Sequence, residues 1–170
     1  MGKLVSIHSS EKFKRRQTRR VAETRSAEET FALGKEIGET AFPGMVISLV
    51  GDLGAGKTVF TQGVAEGLGV KGVVNSPTFT ILQVHDDGRL PLYHFDVYRI
   101  AEPEELYEIG IEEYFYGEGV TIIEWADLIQ DMLPVGYLHV LIEKDLKAGG
   151  DYRRIVMNAV NMNPEDQRNP

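Results

Sequence analysis

The sequence predicts an α/β fold, a mixed and mostly parallel sheet flanked by helices with antiparallel additions, built as one domain. Three observations carry that expectation. Two apolar runs bounded by glycine or a carboxylate, Met45–Val50 and Val120–Ile123, read as strands buried on both faces. Segments with helical periodicity alternate with them, and hairpin patterns supply the antiparallel edges. At 170 residues, 42% hydrophobic and 26% charged, the chain is long enough for one sizeable core and ordinary in composition.

The elements follow in order. Ser26-Ala27-Glu28-Glu29 has the form of a capping box, which opens a helix carrying Leu33, Ile37 and Ala41 at intervals of four with Phe31 alongside. Pro43-Gly44 ends it. Met45–Val50 is the first buried strand. After a glycine-rich turn, Phe60, Val64 and Leu68 mark a second helix, closed by Gly67 and Gly69. Phe79–His85 and Leu92–Val97 read as a hairpin joined by Asp86-Asp87-Gly88. Pro103–Tyr107 and Ile111–Tyr116 read as short acidic helices, Val120–Ile123 as a strand, and Asp127 as the start of a turn or short helix. Tyr137–Glu143 and Tyr152–Val160 are two late strands about Gly149-Gly150.

Residues 26–160 form the domain in this reading, with 161–170 as a tail. Residues 1–25 read as a basic extension, solvated or frayed, holding eight of the 18 basic residues against two acids. Its net +6 leaves −14 on the remaining chain, out of a total of −8. An acidic body is a poor nucleic-acid surface, so RNA would be met through another protein or through the basic segment. The absence of cysteine excludes disulfides, thiolate metal sites and a cysteine nucleophile. No apolar run has transmembrane length and no secretory signal stands at the N-terminus, so the expected location is cytoplasmic, away from membranes.

The most specific motif is Gly51-Asp52-Leu53-Gly54-Ala55-Gly56-Lys57-Thr58, which matches the P-loop pattern G-x-x-x-x-G-K-[ST]. Glycines allow the backbone of residues 52–56 to turn its amides inward as a nest for phosphate oxygens, and the following helix adds its positive end. Lys57 is placed to reach the β- and γ-phosphates of ATP, and the Thr58 hydroxyl to ligate Mg²⁺. An apolar strand before the loop and a periodic helix after it supply the context the motif requires.

Such a loop needs a carboxylate at a neighbouring strand tip. Glu124, after Val120–Ile123, and Asp96, after Leu92-Tyr93-His94-Phe95, both qualify as metal or hydrolysis residues, and the pattern does not divide their roles. Either acid could instead pair with a cation, Arg99 being nearest to Asp96 in sequence. Trp125 follows Glu124 and is the only tryptophan. Ser76-Pro77-Thr78 falls where P-loop proteins carry a switch, so a Ser76 or Thr78 hydroxyl is placed to sense the γ-phosphate, unless the segment is simply a turn fixed by Pro77.

Taken in order, the loop, Ser76-Pro77-Thr78-Phe79, His94-Phe95-Asp96-Val97-Tyr98-Arg99 and Glu124-Trp125 resemble the TsaE family of tRNA threonylcarbamoyladenosine biosynthesis (formerly YjeE). Pro103-Glu104-Glu105-Leu106 with Gly110-Ile111 adds to the likeness, which spans about residues 26–160. The resemblance implies a single P-loop NTPase domain that hydrolyses ATP weakly with Mg²⁺. It implies a role beside the TsaD–TsaB heterodimer, which modifies the adenosine next to the tRNA anticodon, with tRNA met only indirectly. By the same resemblance Lys57, Asp96, Glu124 and Trp125 are the catalytic set. Ser26 and Ala27 match loosely the adenine side, and the basic first 20 residues depart from the family pattern.

Rival readings are weaker. A small-molecule kinase would close arginines over the phosphate, yet from Ile100 to Glu143 there are eleven acids and no Lys or Arg. A guanine-recognising Asn-Lys-x-Asp segment is absent. A nucleotide-gated binding module with negligible turnover stays open. The acid-rich stretch is either a solvated face or a docking face for a basic partner.

Overall fold

The computed structural model describes residues 19–162. Seven strands form one sheet in the order β1-β7-β6-β2-β5-β4-β3: β1 Arg19–Thr24, β2 Val46–Val50, β3 Leu82–His85, β4 Leu92–Asp96, β5 Val120–Glu124, β6 Tyr137–Lys144 and β7 Arg153–Val160. The four central strands β6, β2, β5 and β4 run parallel, and β3, β7 and β1 add antiparallel edges. The helices are α1 Ala27–Thr40, α2 Lys57–Gly67, α3 Glu105–Ile109 and α4 Ile111–Phe115. A 3-10 helix, Ala126–Met132, is kinked at Ile129.

β2, β5 and most of β4 are buried because both faces are covered, whereas β6 alternates buried and half-buried residues. On one side α1 and α2 pack Leu33, Phe60, Val64 and Leu68 against Ile47, Leu49, Ile122 and Val140. On the other, α3, α4 and the 3-10 helix contribute Leu106, Ile111, Phe115 and Ile129 against Val46, Phe95 and Ile123. Continuous apolar runs are what such two-sided burial selects.

The contact between α1 and α2 is built from glycines at intervals of four. A Cβ on Gly34 would lie 2.2 Å from the Phe60 carbonyl oxygen, and one on Gly38 2.1 Å from that of Val64. From the facing helix, a Cβ on Gly63 would lie 2.1 Å from the Phe31 carbonyl oxygen, and one on Gly67 2.2 Å from that of Lys35. The two backbones therefore touch, and no side chain fits between them.

Three sequence expectations change. Ser26 caps α1, its hydroxyl accepting from the Glu29 amide at 3.2 Å, but Glu29 reaches back to the Arg25 amide at 2.6 Å, one residue before the expected position. The first hairpin strand begins at Leu82, and Phe79 lies outside it, 84% exposed. Residues 76–81 are drawn off as a turn: the Ile81 amide donates to the Pro77 carbonyl at 2.7 Å, and Ile81 adopts a φ of 67°. For a β-branched residue that conformation costs roughly 1–3 kcal/mol. Finally, the sheet starts within the stretch assigned to the basic extension, because β1 pairs antiparallel with β7 from Arg19 to Thr24. Residues 1–18, which hold most of that positive charge, lie outside the described residues, as do 163–170 of the expected tail.

Candidate phosphate and metal site

Parallel pairing brings three strand ends to one edge. The loop 51–56 leaves the end of β2, Glu124 ends the neighbouring β5, and Asp96 ends β4 directly opposite Glu124 in register. The loop, both acids and Trp125 thus converge from three separate segments between Gly51 and Trp125, at the carboxyl edge where open α/β sheets place their ligands.

The loop has the backbone that the glycine spacing called for. Gly54 and Gly56 have φ of 73° and 105°, values that favour glycine, and Gly56 forms the N-terminal boundary of α2. Lys57 is buried and folds back over the loop, its ammonium donating to the carbonyls of Gly51 at 2.5 Å and Asp52 at 2.9 Å. The same ammonium stands 3.9 Å from the centre of the Trp125 indole. Burial lowers the Lys57 pKa from its ordinary value, and Glu124, Asp96, Asp52 and Asp127 oppose that shift.

Beside the lysine lies a chain of oxygen donors. Around the Glu124 carboxylate lie Thr58 Oγ1, a donor at 3.4 and 3.5 Å, Thr61 Oγ1 at 3.3 Å, which also donates to the Lys57 carbonyl at 3.0 Å, and Ser76 Oγ at 3.4 Å, whose nearer acceptor is Asp96. Asp96 accepts from the Ser76 hydroxyl, from Thr78 Oγ1 at 3.3 Å and from the Tyr98 amide at 3.0 Å. Both acids are buried. Ser76 and Thr78 therefore join the acids physically, as a switch segment would. Arg99 does not pair with Asp96: its guanidinium lies 4.6 Å from the ring centre of exposed Phe79. Trp125 is partly buried, stacks on Tyr98 at 4.6 Å and holds φ of 63°, so its indole is fixed by strained backbone as well as by packing.

The donor set fits Mg²⁺. Hydroxyl and carboxylate oxygens are what that ion selects, and it is usually held by one or two carboxylates together with substrate phosphates. Among the described residues no group of three or more His, Cys, Asp and Glu is arranged to hold a metal unaided. Thr58, Glu124 and Asp96 are the residues that would hold it. The glycine-rich loop, with positive φ at Gly54 and Gly56 and the Ala55 amide closing a turn onto the Asp52 carbonyl at 3.0 Å, fits a phosphate chain, and displacement of Lys57 from its own carbonyls would release it toward that chain.

Ser26 and Ala27 stand at the start of α1, whose first turn lies beside the loop: the Thr30 methyl is 3.9 Å from a Cβ built on Gly56. No hydrogen bond among the described residues ties either residue to the loop. Leu53 is 76% exposed. The sequence presents His94 within the His94–Arg99 block without a role of its own, and does not single out Thr61. His94, fully buried, places Nε2 3.0 Å from Glu124 Oε1, while Nδ1 has no partner. Period-two spacing put His94 on the Asp96 face of β4, and Thr61 lies three residues after Thr58 on α2, so both signals were present but unspecific.

A parallel-centred sheet, a G-x-x-x-x-G-K-T loop between its central strand and the next helix, and strand-tip acids facing that loop define the P-loop class of α/β proteins. The model of the family described as "Threonylcarbamoyl adenosine biosynthesis protein TsaE" matches residues 24–155. The chain belongs to the TsaE family. It is 51% identical over 137 residues to the tRNA threonylcarbamoyladenosine biosynthesis protein TsaE of Bacillus subtilis, covering 81% of this chain and 84% of that protein. The protein of that name from Treponema pallidum is 47% identical over 111 residues, 65% of this chain and 82% of its own. The crystal structure of Bacillus subtilis YdiB superposes with a TM-score of 0.74 at 43% identity, over 89% of this chain and 93% of that one. Among the described residues no helix is long and apolar enough to cross a membrane.

Proposed function

We propose that the chain binds ATP with Mg²⁺, hydrolyses it slowly, and supports the TsaD–TsaB complex in threonylcarbamoylation of the tRNA adenosine beside the anticodon. It meets tRNA only through that complex, in the cytoplasm. The observation that carries the reading is the meeting of Lys57, Thr58, Glu124 and Asp96 at one sheet edge. Main-chain amides of 52–56 grip the phosphates, Lys57 turns from the Gly51 and Asp52 carbonyls to neutralise them, and Glu124 and Asp96 orient the metal and its water. A bound Mg²⁺ supplies charge neutralisation at the phosphoryl oxygens. Ser76 and Thr78, hydrogen-bonded to Asp96, couple the state of that acid to the turn 76–81.

Slow turnover is expected because, among the described residues, no arginine pairs with Glu124 or Asp96, and Arg99, nearest to Asp96 in sequence, rests on Phe79. An arginine supplied to a transition state is worth about 10³–10⁵ in rate. Phosphate release is expected to be weak alone and raised at least about tenfold by the TsaD–TsaB heterodimer. Glu124→Ala should abolish the stimulated rate. A rate that the heterodimer leaves unchanged would favour a nucleotide-gated module without turnover.

His94 enters here as a positioning residue, since its ring holds one Glu124 oxygen from below. His94→Leu removes that donor, whereas His94→Gln keeps an N–H near the Nε2 position. His94→Leu is expected to lower the stimulated rate about tenfold and weaken Mg²⁺ dependence, with ATP affinity within about twofold and His94→Gln restoring most of both. Equal losses in both variants would assign His94 to packing alone.

A further inference from the structure

A loop whose amides face inward must turn its carbonyls outward, and these carbonyls have no strand to pair with. Here five successive carbonyls are all taken by cationic side chains. Lys57 serves Gly51 and Asp52. Lys144, at the end of β6, donates to the Leu53 carbonyl at 2.9 Å. Arg153, at the start of β7, donates through Nε to Ala55 at 2.7 Å and through Nη2 to Gly54 at 3.2 Å. Its Nη1 anchors to the carbonyls of Gly150 and Tyr152, at 2.8 and 2.7 Å.

The register of the β6–β7 pair makes this more than a tally of contacts. Glu143 faces Arg154, and the two form an ion pair of 2.8 Å. The next pair is Lys144 facing Arg153, two cations directly opposite. Like charges across strands are destabilising. Among the described residues neither cation has a carboxylate within ion-pair distance, so nothing in the sheet compensates for the juxtaposition. Both side chains instead leave the sheet for the back of the loop.

We propose that Lys144 and Arg153 are positioning residues for phosphate recognition: a cationic brace that holds the loop carbonyls outward, and so the amides inward, before any ligand arrives. This rests on the nucleotide-binding reading above and deepens it. When Lys57 leaves its two carbonyls for a phosphate chain, the brace keeps the remaining three fixed. The two positive charges lie against the loop carbonyls and favour an anion bound by the loop. The contact is to backbone, so the brace does not depend on the side chains of Asp52, Leu53 or Ala55.

The test is calorimetric titration of the full chain and its Arg153→Gln, Lys144→Gln and Arg153→Lys variants with MgATP, together with thermal unfolding of each without nucleotide. Arg153→Gln is expected to weaken MgATP binding about tenfold and Lys144→Gln about threefold. Arg153→Lys, which keeps the charge but not the fork, should fall between wild type and Arg153→Gln. In Arg153→Gln and Lys144→Gln, relief of the cross-strand repulsion offsets the loss of loop hydrogen bonds, so their nucleotide-free melting temperatures should stay close to that of wild type; Arg153→Lys keeps both charges and gains no such relief. Wild-type binding with Arg153→Gln within twofold of it overturns the brace and leaves the nucleotide reading intact. A loss of affinity matched by a lower nucleotide-free melting temperature also overturns it, in favour of a purely structural arginine. A folded wild type that takes up no MgATP removes both.

Discussion

Replacing Lys57 with alanine is expected to weaken MgATP binding by about a hundredfold or more and to end phosphate release, with the fold retained by circular dichroism. The size follows from the bonds lost. A hydrogen bond to a charged group contributes about 1.5–3 kcal/mol, and two such bonds to neighbouring phosphates correspond to at least about a hundredfold in affinity. The residue is not held in place by the core: its ammonium satisfies only the carbonyls of Gly51 and Asp52 and the indole face of Trp125. Burial lowers its pKa, while Glu124, Asp96, Asp52 and Asp127 favour the charged form. A Lys57→Ala chain that still bound MgATP within about fivefold of wild type would take the lysine out of the site.

The second large effect lies in the fold that presents the loop. Gly63→Ala is expected to destabilise the chain by about 3 kcal/mol or more, lowering the melting temperature by roughly 6–12 °C. Glycine to alanine inside a helix ordinarily stabilises by about 1 kcal/mol, so even the sign is opposite to helix propensity. The reason is the 2.1 Å separation between the added Cβ and the Phe31 carbonyl oxygen, with the Lys35 amide at 3.0 Å. Backbone on the facing helix cannot rotate away as a side chain could. Because α2 begins at Lys57, any shift of α2 from α1 also displaces the loop, and nucleotide affinity should fall along with stability. Thermal unfolding that left Gly63→Ala as stable as wild type would mean the helices can separate freely.

How much of this was legible from the chain depended on the range of the contact. Local signals read well. The buried runs at 45–50 and 120–123 became central strands, and the Ser26 cap and the loop geometry at Gly54 and Gly56 lie where spacing put them. Glu124 and Asp96 could be nominated because a strand-tip position is itself a local pattern. The α1–α2 contact was not, because Gly34, Gly38 and Gly63 individually read as weak helix formers and Gly67 as a helix end, and their common interval of four means something only once the helices are paired. The edge strand β1 was hidden by Arg19, Arg20 and Glu23, charges that suit an exposed edge as well as a solvated tail. Lys144 and Arg153 look like ordinary surface cations until the register sets them opposite each other. Phe79 was placed in a strand on its β propensity, and the Ile81 turn overrode it.

The central claim is that main-chain amides between β2 and α2 grip a chain of phosphates. Titration of the wild-type chain with ATP, ADP and AMP in the presence of Mg²⁺, followed by calorimetry, addresses it most directly. One-to-one uptake of ATP and ADP, with AMP weaker by about a hundredfold, is the outcome expected of a site that reads the β-phosphate. Equal affinity for all three, or no uptake of any by properly folded protein, would contradict it.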